Sequence, residues 1–284
     1  MAVEEDSKTM HISGLYTYPL KSGKGASLQQ AWMENTGIRN DRRWVLVDTE
    51  GRFITQRELP RMGKISLEPS ERQILAAWGE ESIIITRPSP EEPSTVKRTV
   101  QIWKDQVIAL DCGDEIADFL SLKLEKSVRL YEAYEQRVIA NPDIPLPNSH
   151  YLFADSYPYM ILGQGSLESL NIRLQEQNLN PAMYRQFRPN ILISDLAAHD
   201  EDQIDSLHIG EHVELRFGKL CSRCNIVNID PNTDELGSQP LKTLASYRKI
   251  QGHKIYFGVN MWLFSGHGLT IQVGDPVKIR YKKD

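Results

Sequence analysis

Short apolar segments with a strand-like alternation dominate the first part of the chain. These runs occupy residues 11–18, 42–47, 52–56, 83–86 and 100–103. A turn at Asp48–Gly51 separates two of them, which predicts a β-hairpin with a glycine in its loop. Short strands at this spacing favour a barrel or sandwich over a doubly wound sheet.

The apolar periodicity becomes helical at three places. The positions at helical spacing are Ile116, Phe119, Leu120, Leu122 and Leu124, then Leu167, Leu170 and Leu174, and finally Leu241, Leu244 and Tyr247. Asp114 precedes the first group and is a residue type that caps helices, while Pro240 opens the third. The sequence therefore predicts helices that each bury one apolar face.

A proline-rich loop at 141–148 interrupts these patterns, and we place the organisational break between residues 127 and 150. This divides the chain into residues 1–126 and residues 127–284. The predicted fold class is mainly β with some helix, an α+β arrangement. In the second part, the acidic run 195–211 predicts a solvated face.

The end of the chain predicts more strands. The segment Phe257–Asn260 contains a glycine and predicts a break in regular structure before the last two strands, at 269–273 and 276–281.

The composition excludes several classes of protein. The 284 residues carry 33 basic and 38 acidic side chains, a net charge of -5, so no global positive field favours nucleic acid or an anionic membrane as a partner. Three cysteines argue against a disulfide framework. The acidic start Met1–Asp6 lacks the pattern of a signal or transit peptide, and no apolar run is long enough to span a bilayer. We expect a cytoplasmic protein.

The pair Cys221 and Cys224, in a Cys-x-x-Cys spacing, is the most informative short motif. It fits half of a zinc site, a redox dithiol, or one thiolate metal ligand beside a structural cysteine, and it also fits two small buried hydrophobes. Zinc lacks an evident second pair of ligands. The pair follows a strand-like run, whereas thioredoxin-like chemistry starts a helix. A thiolate beside the positive charge of Arg223 would suit a soft metal.

Several separate loops carry groups that bind anions. The turn Lys21–Gly25 combines lysine, serine and glycine, and Arg42 stands at the entrance of a strand. Asp155-Ser156-Tyr157 offers a carboxylate and two hydroxyls, and the segment Arg185–Asn190 contains two arginines that match phosphate bidentately. Each of these loops alone is also compatible with ordinary solvated surface.

Together these motifs resemble those of the MOSC family. The quoted set is Tyr18–Gly25, Asp41–Trp44, Phe187–Asn190, Cys221–Cys224, Asp230-Pro231 and Val273–Val277. The likeness runs from about residue 11 to residue 281 and is greatest to the branch of mitochondrial amidoxime-reducing components and their bacterial relatives. It implies an N-terminal β-barrel domain (1–126) packed on a MOSC β-barrel domain (127–284), with a cofactor at their interface.

The resemblance also implies a molybdenum cofactor, molybdenum held by molybdopterin and one protein thiolate. By its place in the motif Cys224 is the metal ligand and the catalytic residue, and Cys221 is structural. The implied cofactor-binding residues are Lys21, Ser22, Arg42, Asp155, Ser156, Tyr157, Arg188, Asn190, Ser222, Arg223 and Asn260. Tyr157 is larger than its counterpart in the family and bears on the shape of the substrate entrance.

The implied activity is reduction of small N-hydroxylated compounds such as amidoximes, hydroxylamines and N-hydroxylated bases. Electrons would come from a separate ferredoxin, flavin reductase or cytochrome. Two alternatives stay open. The first is a carrier of the molybdenum cofactor or a sulfur-transfer module, weakened because the chain has no room for a pyridoxal-phosphate domain. The second is a zinc-stabilised binding module.

Overall fold

The computed structural model describes residues 10–138, 150–250 and 252–283. The predicted loop at 141–148 lies outside these residues. The described strands are β1 (Ile12–Thr17), β2 (Ala26–Leu28), β3 (Gln30–Glu34), β4 (Gly37–Ile38), β5 (Trp44–Val47), β6 (Ile65–Pro69), β7 (Gln73–Trp78), β8 (Glu81–Thr86), β9 (Lys97–Ile102), β10 (Asp105–Asp111), β11 (Arg129–Ala133), β12 (Arg137–Val138), β13 (His150–Tyr151), β14 (Tyr159–Gly163), β15 (Ile191–Ile193), β16 (Ile204–Ile209), β17 (Val213–Arg223), β18 (Ile255–Ser265), β19 (Thr270–Gln272) and β20 (Val277–Tyr281). The described helices are α1 (Asp114–Leu124), α2 (Gln164–Gln175), α3 (Tyr184–Phe187) and α4 (Leu241–Tyr247).

The largest sheet has eight strands in the order β2-β1-β15-β14-β18-β17-β16-β20. Alternate residues of its strands enter two separate cores, since successive side chains on a strand point to opposite faces. Ile161 of β14 lies in a core shared with β1, β16 and β20, whereas its neighbour Leu162 packs with Leu170 of α2 and Leu244 of α4. The sheet is therefore covered by helices on one face.

Two smaller sheets build the other half of the molecule. One has the order β5-β11-β10-β9 and the other the order β6-β7-β8. Leu46 and Leu130 from the first pack with Ile74 from the second and with Leu120 of α1. The predicted class, mainly β with a few helices, is confirmed.

Strand pairing joins distant parts of the chain. β1 and β2 belong to the large sheet with strands that follow residue 150, and β11 pairs with β5 and β10. The proposed division at residue 126 remains a prediction. Every helix in the described ranges falls short of the length and apolar character that a bilayer-spanning segment needs.

The three predicted helices are present as α1, α2 and α4, with two corrections at α1. Leu122 is 73% exposed and does not belong to the buried face. The residue at the N-cap is Gly113, while the Asp114 carboxylate accepts a hydrogen bond from Arg129 at 2.7 Å. A strand neighbour therefore uses the side chain that we expected to cap the helix.

Two loop predictions in the second half are wrong. The acidic run is not simply solvated, because Glu201 and Asp202 are buried and Asp202 forms an ion pair with the buried Arg248. The glycine at 258 does not interrupt regular structure, since β18 runs through it. Gly258 has φ +73 where the β17–β18 register shifts, and a Cβ there would lie 2.4 Å from the Met160 Cε. It marks a β-bulge.

Candidate active site

A cavity of about 610 Å³ lies where the large sheet meets the loops of the other half. All twelve residues predicted to form the site line this cavity: Lys21, Ser22, Arg42, Asp155, Ser156, Tyr157, Arg188, Asn190, Ser222, Arg223, Cys224 and Asn260. They come from six segments that are far apart in sequence. The fold therefore brings the predicted residues together, while their roles stay predictions.

Several residues at the cavity have left-handed backbone conformations that side chains other than glycine rarely adopt. Ser22 has φ 64, Arg42 has φ 46 and Arg188 has φ 56. Such conformations are unfavourable for most residues and are enriched at functional sites. Here they turn one hydroxyl and two guanidinium groups to the same cavity.

Arg42 is held rigidly. Its Nη1 donates to the Asn190 Oδ1 at 3.0 Å, and its Nη2 donates to the Arg188 carbonyl at 3.0 Å. The buried Asp41 carboxylate also pairs with Arg42, and burial raises the pKa of that carboxyl, against the opposing effect of Arg42. The guanidinium is therefore oriented before any ligand arrives.

Arg188 has a donor to spare. Its Nη1 donates to the Gly23 carbonyl at 2.6 Å, but its buried Nη2 has no partner in the described structure. Burial and the neighbouring Arg42 lower the pKa of Arg188 to about 10, so it remains a cation at neutral pH. A buried N–H without an acceptor is costly, and an anionic ligand would satisfy it.

Lys21 and Asp155 form an ion pair at the opposite wall. The Lys21 Nζ donates to the Asp155 Oδ1 at 2.5 Å and to the Phe153 carbonyl at 2.9 Å. Burial lowers the pKa of Lys21, and Asp155 partly restores it. Burial alone would raise the pKa of the Asp155 carboxyl. Lys21 and the Trp103 indole N–H outweigh this effect and hold that pKa below its usual range.

Asn190 and Arg223 act mainly as supports. The Asn190 Oδ1 accepts from the backbone N–H of Met160 as well as from Arg42, and its Nδ2 donates to a backbone carbonyl. The Arg223 guanidinium donates to the carbonyls of Phe257 and Phe187 at 2.6 to 2.8 Å. The guanidinium that reaches the Cys224 sulfur is Arg57, with its Nη2 3.3 Å away, which corrects the pairing with Arg223 that we predicted.

Cys224 lies at the end of β17, where the chain turns into a 3-10 segment at Asn225–Asn228. Cys221, three residues earlier, is still within the strand and packs against the apolar core under α2 and α4. No group of three or more His, Cys, Asp or Glu side chains within residues 10–138, 150–250 and 252–283 could hold a metal ion. The pair therefore lacks the further ligands of a zinc site.

Tyr157 forms part of the cavity wall by packing on β17. A Cβ on Gly218 would lie 2.1 Å from the Tyr157 Cε1, so only glycine allows the ring this close. The ammonium of Lys219, the next residue, lies 5.5 Å from the Tyr157 ring centroid. Asn260 faces the same cavity from β18, opposite Lys219.

The lining has a strong excess of positive charge. Eight cationic side chains line the cavity, against the two carboxylates of Asp105 and Asp155. The whole chain is acidic, so the concentration of positive charge is local. Since a confined array of one sign raises the local concentration of opposite charge, the cavity suits an anionic ligand.

Sequence reasoning missed several lining residues, among them Arg57, Trp103, Lys104, Arg137 and Lys219. Trp103 stands in the turn between β9 and β10, has φ 55, and places its ring 5.1 Å from the Arg57 guanidinium. The segment Thr55-Gln56-Arg57 ends the predicted hairpin and gave no signal of its own. These residues reach the cavity only through the way the two halves meet.

Fold and cavity define a class: a mainly β protein with a cationic cavity between its two halves, lined by two partly exposed cysteines at the end of a long strand. Residues 9–127 match the MOSC N-terminal beta barrel domain, and residues 148–278 match the MOSC domain. The chain belongs to the MOSC family.

Curated relatives support this membership. The chain is 31% identical to mitochondrial amidoxime-reducing component 1 of Homo sapiens, over 94% of this chain and 82% of that protein. It is 30% identical to mitochondrial amidoxime reducing component 2 of Bos taurus, with the same coverage of 94% and 82%. The crystal structure of the YUAD protein from Bacillus subtilis aligns over 97% of both chains at 9% identity, with a TM-score of 0.43.

Proposed function

We propose that this protein is a molybdenum-cofactor-dependent reductase of small N-hydroxylated compounds. Membership of the MOSC family and the names of the amidoxime-reducing relatives support the reaction class. The observation that carries the proposal is the meeting of Cys224 with a cavity rich in cations. The first supplies a metal ligand and the second suits a phosphate-bearing cofactor.

The residues present fit such a group. A thiolate is the soft ligand that suits molybdenum, and Cys224 is accessible in the cavity. The buried Nη2 of Arg188 has no acceptor among the residues that the structure describes, so a phosphate oxygen would satisfy it. The hydroxyls of Ser22, Ser156 and Ser222 line the same space as additional hydrogen-bonding groups.

In this proposal Cys224 ligates the metal, and Arg42, Arg188 and Lys21 hold the anionic part of the cofactor. Asn190 and Asp41 fix Arg42, while Arg223 fixes the base of β17 and β18. Arg57 lies beside the sulfur and contributes positive charge there. When bound, the cofactor supplies the two-electron chemistry that removes oxygen from an N–O bond.

In our proposal the electrons reach the site from a separate donor protein. Reduction of N–OH to N–H consumes two electrons and two protons and releases water. The three cysteines in these 284 residues are too few for a four-cysteine iron–sulfur cluster. We propose a ferredoxin, flavin reductase or cytochrome as that donor.

The test is the variant Cys224→Ser in protein made by a host that synthesises the cofactor. We expect it to lose reduction of an aromatic amidoxime by a reduced viologen while keeping its thermal unfolding profile. Cys221→Ala is the matched control and should retain activity. Undiminished turnover by Cys224→Ser would refute the assignment, and bound molybdenum without reduction in the unsubstituted protein would favour a carrier.

A further inference from the structure

A second cavity, of about 410 Å³, adjoins the first. Both cavities are lined by Gln56, Gln186, Arg188 and Ile226. The remaining walls of the second cavity come from the turn after β1, the turn between β7 and β8, and the segment that follows Cys224. None of these walls carries a role in the proposed reductase chemistry.

Positive charge is concentrated in this second cavity as well. Lys24, Lys64, Arg185 and Arg188 line it, and none of its lining residues in the described ranges carries a carboxylate. Within the described residues the Lys24 ammonium has no hydrogen bond or ion pair, and the Arg185 guanidinium has a hydrogen bond only to the Met183 sulfur, at 3.5 Å. Of the four, Lys64 alone forms an ion pair, with Asp234 at 2.9 Å. The other charges are available to an anion.

The cavity also has an aromatic wall and an unsatisfied polar group. The Trp78 ring lines one side, with the Lys64 ammonium 6.0 Å from its centroid. Tyr18 lines another side and is 1% exposed, yet its hydroxyl has no hydrogen-bond partner in the described structure. Buried hydroxyls are normally paired, so this group points to a ligand with a polar atom.

We propose that this second cavity binds a nucleoside monophosphate. The phosphate lies among Lys24, Arg185 and Arg188, since guanidinium and ammonium groups are the usual partners of phosphate. The base lies against Trp78, because a planar ring stacks on indole, and the Tyr18 hydroxyl bonds a polar atom of the ligand. Arg188 is shared, so the nucleotide contacts the same guanidinium as the ligand of the first cavity.

Calorimetric titration of the full-length protein tests the site, with adenosine monophosphate, adenosine and inorganic phosphate as probes. We expect the monophosphate to bind more tightly than either fragment, because each fragment lacks one half of the contacts. Its affinity should fall with added salt, since charge carries the phosphate half. Equal binding of phosphate and adenosine monophosphate would overturn the proposed base contact with Trp78.

Paired charge reversals locate the binding. The double variant Lys24→Glu, Arg185→Glu should weaken the monophosphate by at least about tenfold, the loss of roughly one charge-assisted contact. The control Lys104→Glu, Lys219→Glu reverses two exposed cations that line the first cavity and not the second. This control should bind adenosine monophosphate as tightly as the unsubstituted protein does. An equal loss of affinity in both double variants, or a loss only in the control, would contradict binding in the second cavity.

Trp78→Leu provides an independent readout. It should remove the advantage of adenosine monophosphate over inorganic phosphate and leave phosphate binding intact. An advantage that persists in this variant would refute the stacking role. None of these substitutions touches Cys224, so a failure here is distinct from a failure of the proposed reductase.

Discussion

At the scale of single residues, Arg188 links the two cavities and holds a buried N–H donor that has no acceptor among the described residues. Its guanidinium lies 4.2 Å from the Tyr18 ring centroid, and Arg42 lies over the same ring at 4.5 Å. Two guanidinium groups that share one aromatic ring repel each other. An anion between or beside them would relieve that repulsion.

Replacing Arg188 with lysine should weaken cofactor retention about tenfold, because lysine keeps the charge but lacks the planar fork that bonds phosphate bidentately. The measurement is the molybdenum-to-protein ratio after purification. Arg185→Lys, three residues earlier and outside the first cavity, is the matched control. Equal metal contents in the two variants would contradict the role of Arg188.

Glu201 gives a pH-dependent prediction away from the site. It is fully buried, accepts a hydrogen bond from Ser166 at 2.7 Å, and burial raises its pKa to about 7. The folded state therefore binds the Glu201 proton more tightly than the unfolded state does. The resulting contribution to stability is fully present below the unfolded pKa and is lost as the pH rises through 7. Burial also lowers the pKa of His199 to about 4, which acts in the opposite sense on acidification.

Glu201→Gln separates the two effects because it keeps an acceptor for Ser166 and cannot ionise. We compare the unfolding free energy of this variant with that of the unsubstituted protein. The difference should shift in favour of the variant by roughly 2–3 kcal/mol from pH 5 to pH 8. Urea unfolding at both pH values measures this difference. Glu80→Gln changes an exposed carboxylate and should show no such trend, and the same pH-independent offset in both variants would contradict the assignment.

Residue types revealed much of the site, but only through their combination. Lys21, Arg42 and Arg188 stood out as possible anion contacts in loops, and the family resemblance joined them to Cys224. Arg57 could not be recognised, because an arginine after a hairpin is ordinary until the fold places it 3.3 Å from the sulfur. The same holds for Trp103, whose left-handed backbone leaves no trace in the sequence.

At the scale of elements, β17 leads directly into Cys224 and carries the surface on which Tyr157 rests. Gly218→Ala should displace the Tyr157 ring, because the added Cβ would lie 2.1 Å from its Cε1. We expect a loss of about 1–3 kcal/mol in unfolding free energy and a changed KM for amidoximes. Chemical unfolding and steady-state kinetics measure the two effects.

Gly237→Ala is the control for this substitution, since a Cβ there meets its nearest neighbour at an ordinary 3.6 Å. It should change stability by less than about 0.5 kcal/mol. Combining Gly218→Ala with Tyr157→Ala should cost less than the sum of the two single changes, because the clash is then removed. Additive costs would show that the ring does not rest on Gly218.

Helical periodicity predicted α1, α2 and α4, because each buries a stripe of leucines. Strand interruptions were harder to read. Gly258 looked like a break, yet it makes a bulge that keeps β18 continuous and lets Met160 approach the backbone. Whether a glycine ends a strand or bends it depends on the partner strand, which lies far away in sequence.

At the scale of the whole molecule, the site exists because distant segments share sheets. β1 and β2, from the start of the chain, lie in the same sheet as the strands β14, β15, β16, β17 and β18. This arrangement places the Lys21 turn beside the Arg188 loop. Alternation and turns predicted a mainly β fold, whereas the strand order could not be deduced from them. The boundary at residue 126 stays a prediction.

The most direct test of the central claim is a molybdenum and pterin analysis of the purified protein and of Cys224→Ser, both made in a host that synthesises the cofactor. We predict one molybdenum atom and one pterin per unsubstituted chain, and loss of the metal from the variant. Absence of both from the unsubstituted protein, or an unchanged molybdenum content in Cys224→Ser, would contradict the claim that Cys224 ligates a pterin-bound metal.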